Sequence, residues 1–167
     1  LDVLVAERTA YDREAIALAR QAEGGDALGE LYARSLLVLE QLTDRQTGAT
    51  IAAPEFDPSF EQSGGYGFVW PRDLGYVVLG YLAAGRGDLA VPALRWLARE
   101  QAPEGLWLQR YWTDGSLAPS WGLHQLDETG MAAKLVQNES VPHAELTQGL
   151  DVELAGHFLR YMEMREI

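Results

Sequence analysis

The stretch GGYGFVWPRDLGYVV, residues 64–78, decides how the rest of the chain reads. Glycines and aromatics come first, then Trp70-Pro71-Arg72-Asp73 in a row. An apolar pattern at Leu74, Val77, Val78, Tyr81 and Leu82 follows at helical spacing. Proline's fixed φ suits the first position of a helix, and an acid in the first turn complements the helix dipole. Arg72 gains nothing from that dipole, so capping alone does not explain it. A guanidinium beside a carboxylate can grip vicinal hydroxyls, the first donating and the second accepting. Trp70 offers a flat apolar face for a sugar ring. The plainer alternative is a helix start with a local ion pair and a core tryptophan, and the tetrapeptide by itself leaves both open.

Working outward, apolar periodicity predicts further helices. Leu28, Leu31, Tyr32, Ser35, Leu36, Leu39 and Leu42 fall on one helical face, with Asp26 as the cap and Gly48 ending the following turn. A lead-in helix spans 11–22 and closes at Gly24-Gly25. Residues 54–67 carry prolines and glycines without helical period and read as a long loop, with room for a short strand at 50–53. AAGRGD ends the helix after Trp70 at Gly85, and its Arg-Gly-Asp reads as a turn. The next helix starts near Asp88, with Ala90, Ala93, Leu94 and Leu97 inward and Pro92 in its first turn. A second long connection, 103–122, precedes helices at about 127–136 and 144–165. The fold class is therefore all-α. Long and short connections alternate, the layout of stacked helical hairpins, which gathers the long loops at one end.

Composition bounds the function. The 167 residues are 47% hydrophobic and 23% charged, enough for a packed core. A net charge of −12 argues against nucleic acid or an anionic membrane surface as partner, since both need clustered Lys and Arg. No apolar run approaches membrane-spanning length. With no cysteine, thiolate chemistry is excluded and the compartment stays open. No cofactor motif is present: GGYGFVW lacks the signatures of a phosphate loop, and His124, His143 and His157 do not fall at metal-ligand spacing. Ser35, Ser120 and Ser140 have no nucleophile-elbow context.

The second long loop repeats the chemistry of the first. SLAPSWGLHQLDETG, residues 116–130, sets Trp121 beside glycine and Gln125, Asp127 and Glu128 ahead of a helix. Each loop thus brings a tryptophan and planar polar groups to a helix start, which is what a polyhydroxyl ligand requires. Asp127 and Glu128 also read as ordinary first-turn acids.

RSLLVLEQLTDRQTGATIAAPEFDP, GGYGFVWPRDLGYVVLGYLAAG and SWGLHQLDETG, in that order, resemble the glucoamylase family, glycoside hydrolase family 15, which includes glucodextranases and bacterial trehalases. The resemblance covers residues 27–131 well and the remainder loosely. It implies an (α/α)6 barrel and inverting exo-hydrolysis of α-glucosides from the non-reducing end. It further implies that Arg72 and Asp73 hold the terminal glucose, that Tyr66 and Trp70 wall its pocket, and that Trp121 packs over the cleavage point. Gln125, Asp127 and Glu128 occupy a motif that lines or braces the pocket. No cofactor and no metal-ligand residues are expected from the sequence, and metal dependence is not legible in it.

One departure shapes the expectation. Inverting hydrolysis needs an acid and a base, about 6.5–9.5 Å apart. The family's acid lies in a Trp-Glu-Glu motif, which this chain lacks. Residues 26–167 accordingly read as the N-terminal portion of a larger barrel after a lead-in at 1–25. By itself the chain is expected to be catalytically silent and prone to self-association through an open apolar edge. The competing expectation is a non-catalytic carbohydrate-binding or regulatory barrel, like the region of that kind in the phosphorylase kinase regulatory subunit. The linkage of the substrate, starch-like, dextran-like or trehalose, is not legible.

Overall fold

A computed structural model describes residues 27–55, 65–119 and 125–136, together with Ala10, Arg13 and Ala17. Its helices are α1 (Ala27–Leu42), α2 (Pro71–Ala83), α3 (Gly87–Glu100) and α4 (Leu126–Val136). No strand is formed among the described residues, only isolated bridges, so the described fold is all-α. The chain divides into two compact units, Leu1–Leu42 and Thr43–Ile167. The expected lead-in helix lies almost wholly outside the described residues, and the expected helix at 144–165 lies entirely outside them.

In the first unit, α1 buries Gly29, Ala33, Leu36 and Glu40. That face is rotated from the one the leucines alone predict. Leu31 is 61% exposed and Val38 51%. Residues 29, 33, 36 and 40 recur at spacings of four, three and four, and Leu31 points to the opposite side of that row. Ser35, also expected inside, is exposed, and its hydroxyl donates to the Leu31 carbonyl (2.9 Å).

The second unit is organised around α2, which packs against both α3 and α4. Leu74, Val78 and Tyr81 are buried as their spacing predicts, and Gly75 is buried with them. A Cβ at Gly75 would stand 2.7 Å from Met131 Cγ, so a side chain there would hold α2 and α4 apart. α2 ends where AAGRGD predicts. The Arg86 N–H reaches Tyr81 O (2.8 Å) and the Gly85 N–H reaches Leu82 O (3.0 Å), with Gly85 at φ 70°. This doubly bonded left-handed turn satisfies the last carbonyls of α2 and reverses the chain into α3. Arg86 then pairs with Asp88, its Nε and Nη2 donating to the two carboxylate oxygens (3.0 and 2.9 Å), which accounts for the Arg-Gly-Asp as a turn.

α3 starts at Gly87, so Pro92 lies inside the helix rather than in its first turn. The missing proline N–H coincides with a close neighbour. A Cβ on Gly48 (φ 82°) would come within 2.4 Å of the Pro92 carbonyl carbon. The turn at 44–49 therefore lies flat on the α3 backbone. Asp44 shapes that turn, accepting the Gln46 N–H on its carboxylate and the Gly48 N–H on its carbonyl. Thr43, Thr50 and the Tyr81 hydroxyl form a short hydrogen-bonded chain (2.7 and 2.8 Å) that ties the turn to α2.

The two ends of the first connection are hydrogen-bonded to each other, and the chain leading into α2 is bonded to the second connection. Ala52 N–H donates to Phe68 O (2.9 Å) and Ala53 N–H to Tyr66 O (3.0 Å). Val69 and Tyr111 exchange both backbone hydrogen bonds (2.9 Å each). α3 anchors the second connection through two buried indoles: Trp96 donates to Thr113 O and Trp107 to Leu97 O, both at 2.9 Å. Each is a large apolar surface whose one polar atom is satisfied.

Candidate functional site

Pro71 opens α2 and has no N–H to offer, while Trp70, the residue before it, makes no side-chain cap. The first backbone donor of the helix is Arg72 N–H. It is accepted by Glu128 Oε2 of α4 at 2.6 Å. Glu128, expected either as an ordinary first-turn acid or as part of a bracing motif, thus caps a different helix from its own. Its side chain is 0% exposed.

The Arg72 guanidinium lies among three carboxylates. Nη2 donates to Asp73 Oδ2 at 2.8 Å and Nη1 to Asp127 Oδ2 at 2.5 Å. Glu128 Oε1 stands 3.5 Å from Nη1, is fully buried and has no hydrogen-bond partner among the described residues. Burial pushes the Glu128 carboxyl up from 4.5 to about 7, against the pull of the Arg72 N–H and charge. Burial also works against the charge on Arg72, but the Asp127 hydrogen bond and the Glu128 and Asp73 charges outweigh it and raise its affinity for the proton. The ion pair anticipated as local is therefore a four-residue cluster joining the starts of two helices.

In front of this cluster opens a cavity of about 190 Å³. Its described lining is Ala52, Tyr66, Trp70, Arg72, Asp73, Gln109 and Gln125. The structure thus brings Tyr66, Trp70, Arg72, Asp73 and Gln125 together around one cavity. Asp127 and Glu128 are not among its lining residues and contact Arg72 instead. Trp121 lies outside the described residues.

The tryptophan at the first loop's end is less open than its glycine-rich context leads one to expect. Trp70 is 4% exposed and Tyr66 40%. The two rings stack at 5.6 Å, and Phe68 meets Trp70 edge-on at 6.2 Å. Trp70 is a core residue with one edge on the cavity, and Tyr66 is the exposed aromatic.

Two residues escape the sequence reading. Gln109 lines the cavity and is 1% exposed. Arg110, also 1% exposed, lays its guanidinium carbon 4.7 Å from the Phe68 ring centre and 5.5 Å from that of Trp70. It donates through Nε to the Pro119 carbonyl and through Nη1 to Gly65 O at 3.5 Å, linking the backbones of both connections. The available signal was the pair Gln109-Arg110 set between Trp107 and Tyr111, two planar polar groups inside an aromatic run.

Among the described residues, no group of three His, Asp or Glu side chains is placed to hold a metal, and no helix is long and apolar enough to cross a membrane. No family model and no solved structure matches the chain. A glucoamylase from Clostridium sp. (strain G0005) is 37% identical over 103 residues, a match that covers 59% of this chain. The chain is similar to a glucoamylase. It spans 14% of that protein's length.

Proposed function

We propose that the cavity holds a terminal glucose unit of an α-glucan or α-glucoside, and that the chain is the N-terminal portion of an inverting, exo-acting glycoside hydrolase. In this reading residues 26–167 contribute to an (α/α)6 barrel. The observation that carries it is the juxtaposition of the Arg72–Asp73 pair with the Tyr66–Trp70 wall on one small open cavity, in a chain similar to a glucoamylase. The volume of about 190 Å³ lies below the roughly 300–1,000 Å³ of pockets for drug-sized ligands, which suits one sugar ring.

The roles follow from donor and acceptor inventory. Asp73 accepts from a sugar hydroxyl while Arg72 donates to its neighbour. Gln109 and Gln125 each offer a carbonyl and an amide for further hydroxyls. Tyr66 lies against the apolar C–H face of the ring. Trp121 packs over the cleavage point in the same reading. Asp127 and Glu128 hold Arg72 in place. None of these residues serves as the catalytic acid or base, and the two carboxyls that inversion requires are supplied from elsewhere in the barrel.

Calorimetric titration with glucose tests the pocket. Binding is expected in the wild type, with loss in Arg72→Ala while the circular dichroism of the fold is kept. Wild-type protein that ignores glucose would refute the pocket. Turnover by the whole barrel is tested by the anomer released, since inversion at an α-linkage yields β-glucose, visible by proton NMR before mutarotation. Binding without turnover would favour the non-catalytic, carbohydrate-binding barrel.

A further inference from the structure

Glu128 has more structure around it than a cap requires. One oxygen receives the Arg72 backbone N–H at 2.6 Å. The other stands 3.5 Å from Nη1 of the same residue's guanidinium, buried and with no hydrogen bond among the described residues. A single buried carboxyl thus addresses Arg72 by backbone and by side chain. Nη1 has a second anchor in Asp127, but that side chain is 56% exposed and its attraction is screened by water. An anionic Glu128 in a water-excluded position adds to the Asp127 hydrogen bond a second pull on Nη1 that water does not screen. Once Glu128 is neutral that pull is gone, and Nη1 depends on Asp127 alone.

We propose that Glu128 is a positioning residue for the sugar grip, so that the affinity of the cavity for glucose follows the ionisation of Glu128. The proposal rests on the cavity being a glucose pocket. Arg72 and Asp73 line the cavity, and Glu128 acts on the sugar only through Arg72. Among the described residues, the charged and titratable groups that act on Glu128 are Arg72 and Asp73 of α2, Asp127 of α4 and the Tyr111 phenol of the second connection. The Tyr111 phenol is itself raised above its ordinary 10 by burial, so it keeps its proton across the neutral range. Because linkage is reciprocal, a sugar that prefers anionic Glu128 must also expel its proton on binding.

Glucose titration calorimetry across about pH 5.5 to 8.5, in two buffers of different ionisation enthalpy, tests this. The wild type is expected to bind roughly five- to tenfold more tightly at the alkaline end, at the low end of couplings between linked sites. It should release a fraction of a proton near neutral pH. Glu128→Gln should bind with the weak, acid-end affinity throughout and release none. A purely structural cap would not produce proton release on sugar binding. Wild-type binding that is independent of pH, or that releases no proton, overturns the proposal without recourse to any variant. A Glu128→Gln protein that keeps the wild-type pH profile overturns it equally. If glucose binds at no pH, the glucose pocket fails and the proposal falls with it.

Discussion

Replacing Glu128 by Gln should make the fold more stable at high pH and remove most of its pH dependence near neutrality. The Glu128 carboxyl moves from 4.5 to about 7 on folding because burial penalises its charge. Between those values the folded chain holds a proton that the unfolded chain has released. Stability must therefore fall as pH rises through this window. Below about 4.5 the cost is absent, and above about 7 it is present in full. At about 1.4 kcal/mol per pH unit, the shift corresponds to about 3 kcal/mol. Gln keeps a carbonyl oxygen for the Arg72 N–H and cannot ionise, so any packing change it causes is a constant offset. Urea unfolding at about pH 5, 6, 7 and 8, extrapolated to water, should show the stability difference between variant and wild type growing by about 2–3 kcal/mol in the variant's favour, the rest of the shift falling below pH 5. Parallel pH profiles for the two proteins would refute the reasoning. A wild type that gains on the variant as pH rises would show that the Arg72 charge outweighs desolvation.

Other positions give sharper structural tests. Gly48→Ala meets a left-handed backbone and rigid backbone atoms of α3 at 2.4 Å, so it should lose about 3 kcal/mol by urea denaturation, from strain and overpacking together. Gly75→Ala sets its Cβ 2.7 Å from Met131 Cγ and 3.4 Å from Leu135 Cδ1, so it should cost about 1 kcal/mol, its gain in helix propensity offsetting part of the overpacking. Gly75→Val should cost about 2 kcal/mol and lower the melting temperature, since its two methyls cannot be cleared by one swing of Met131. Trp107→Phe removes the indole donor to the Leu97 carbonyl and leaves that acceptor buried, for a loss of about 1–3 kcal/mol in the same assay.

Helices were legible where an apolar stripe met a stop signal. The 64–78 stretch and AAGRGD bracket α2 correctly because proline at the first position and glycine after the last are local, backbone-level signals. The buried face of α1 differs from the leucine row because leucine spacing alone does not say which row is buried, and Leu31 is exposed. Pro92 was placed too near the helix start for the opposite reason. Helix interiors tolerate proline where the chain around it adapts, and the neighbouring turn at Gly48 is not visible as such in sequence. In the candidate site, residues on helix starts could be found because their neighbours announce a start. Gln109 and Arg110 were missed because they lie in extended chain, where only the non-local exchange between Val69 and Tyr111 gives them a place.

The site also depends on the core beneath it. Asp127 and Glu128 can reach Arg72 only if the starts of α2 and α4 stay close, and Gly75, three residues on from Arg72, is where α2 presses against Met131 of α4. A larger side chain at Gly75 would therefore do two things at once. It would strain the helix contact, and it would draw Asp127 and Glu128 away from the guanidinium. Gly75→Val should then weaken glucose binding by more than its loss of stability accounts for, because the fold can absorb a small helix shift while a 2.6 Å hydrogen bond to the Arg72 N–H cannot. Titration calorimetry at a temperature where the variant is fully folded separates the two effects. Wild-type affinity in a folded Gly75→Val protein would mean that Arg72 is positioned by α2 alone and that the carboxylates of α4 follow it.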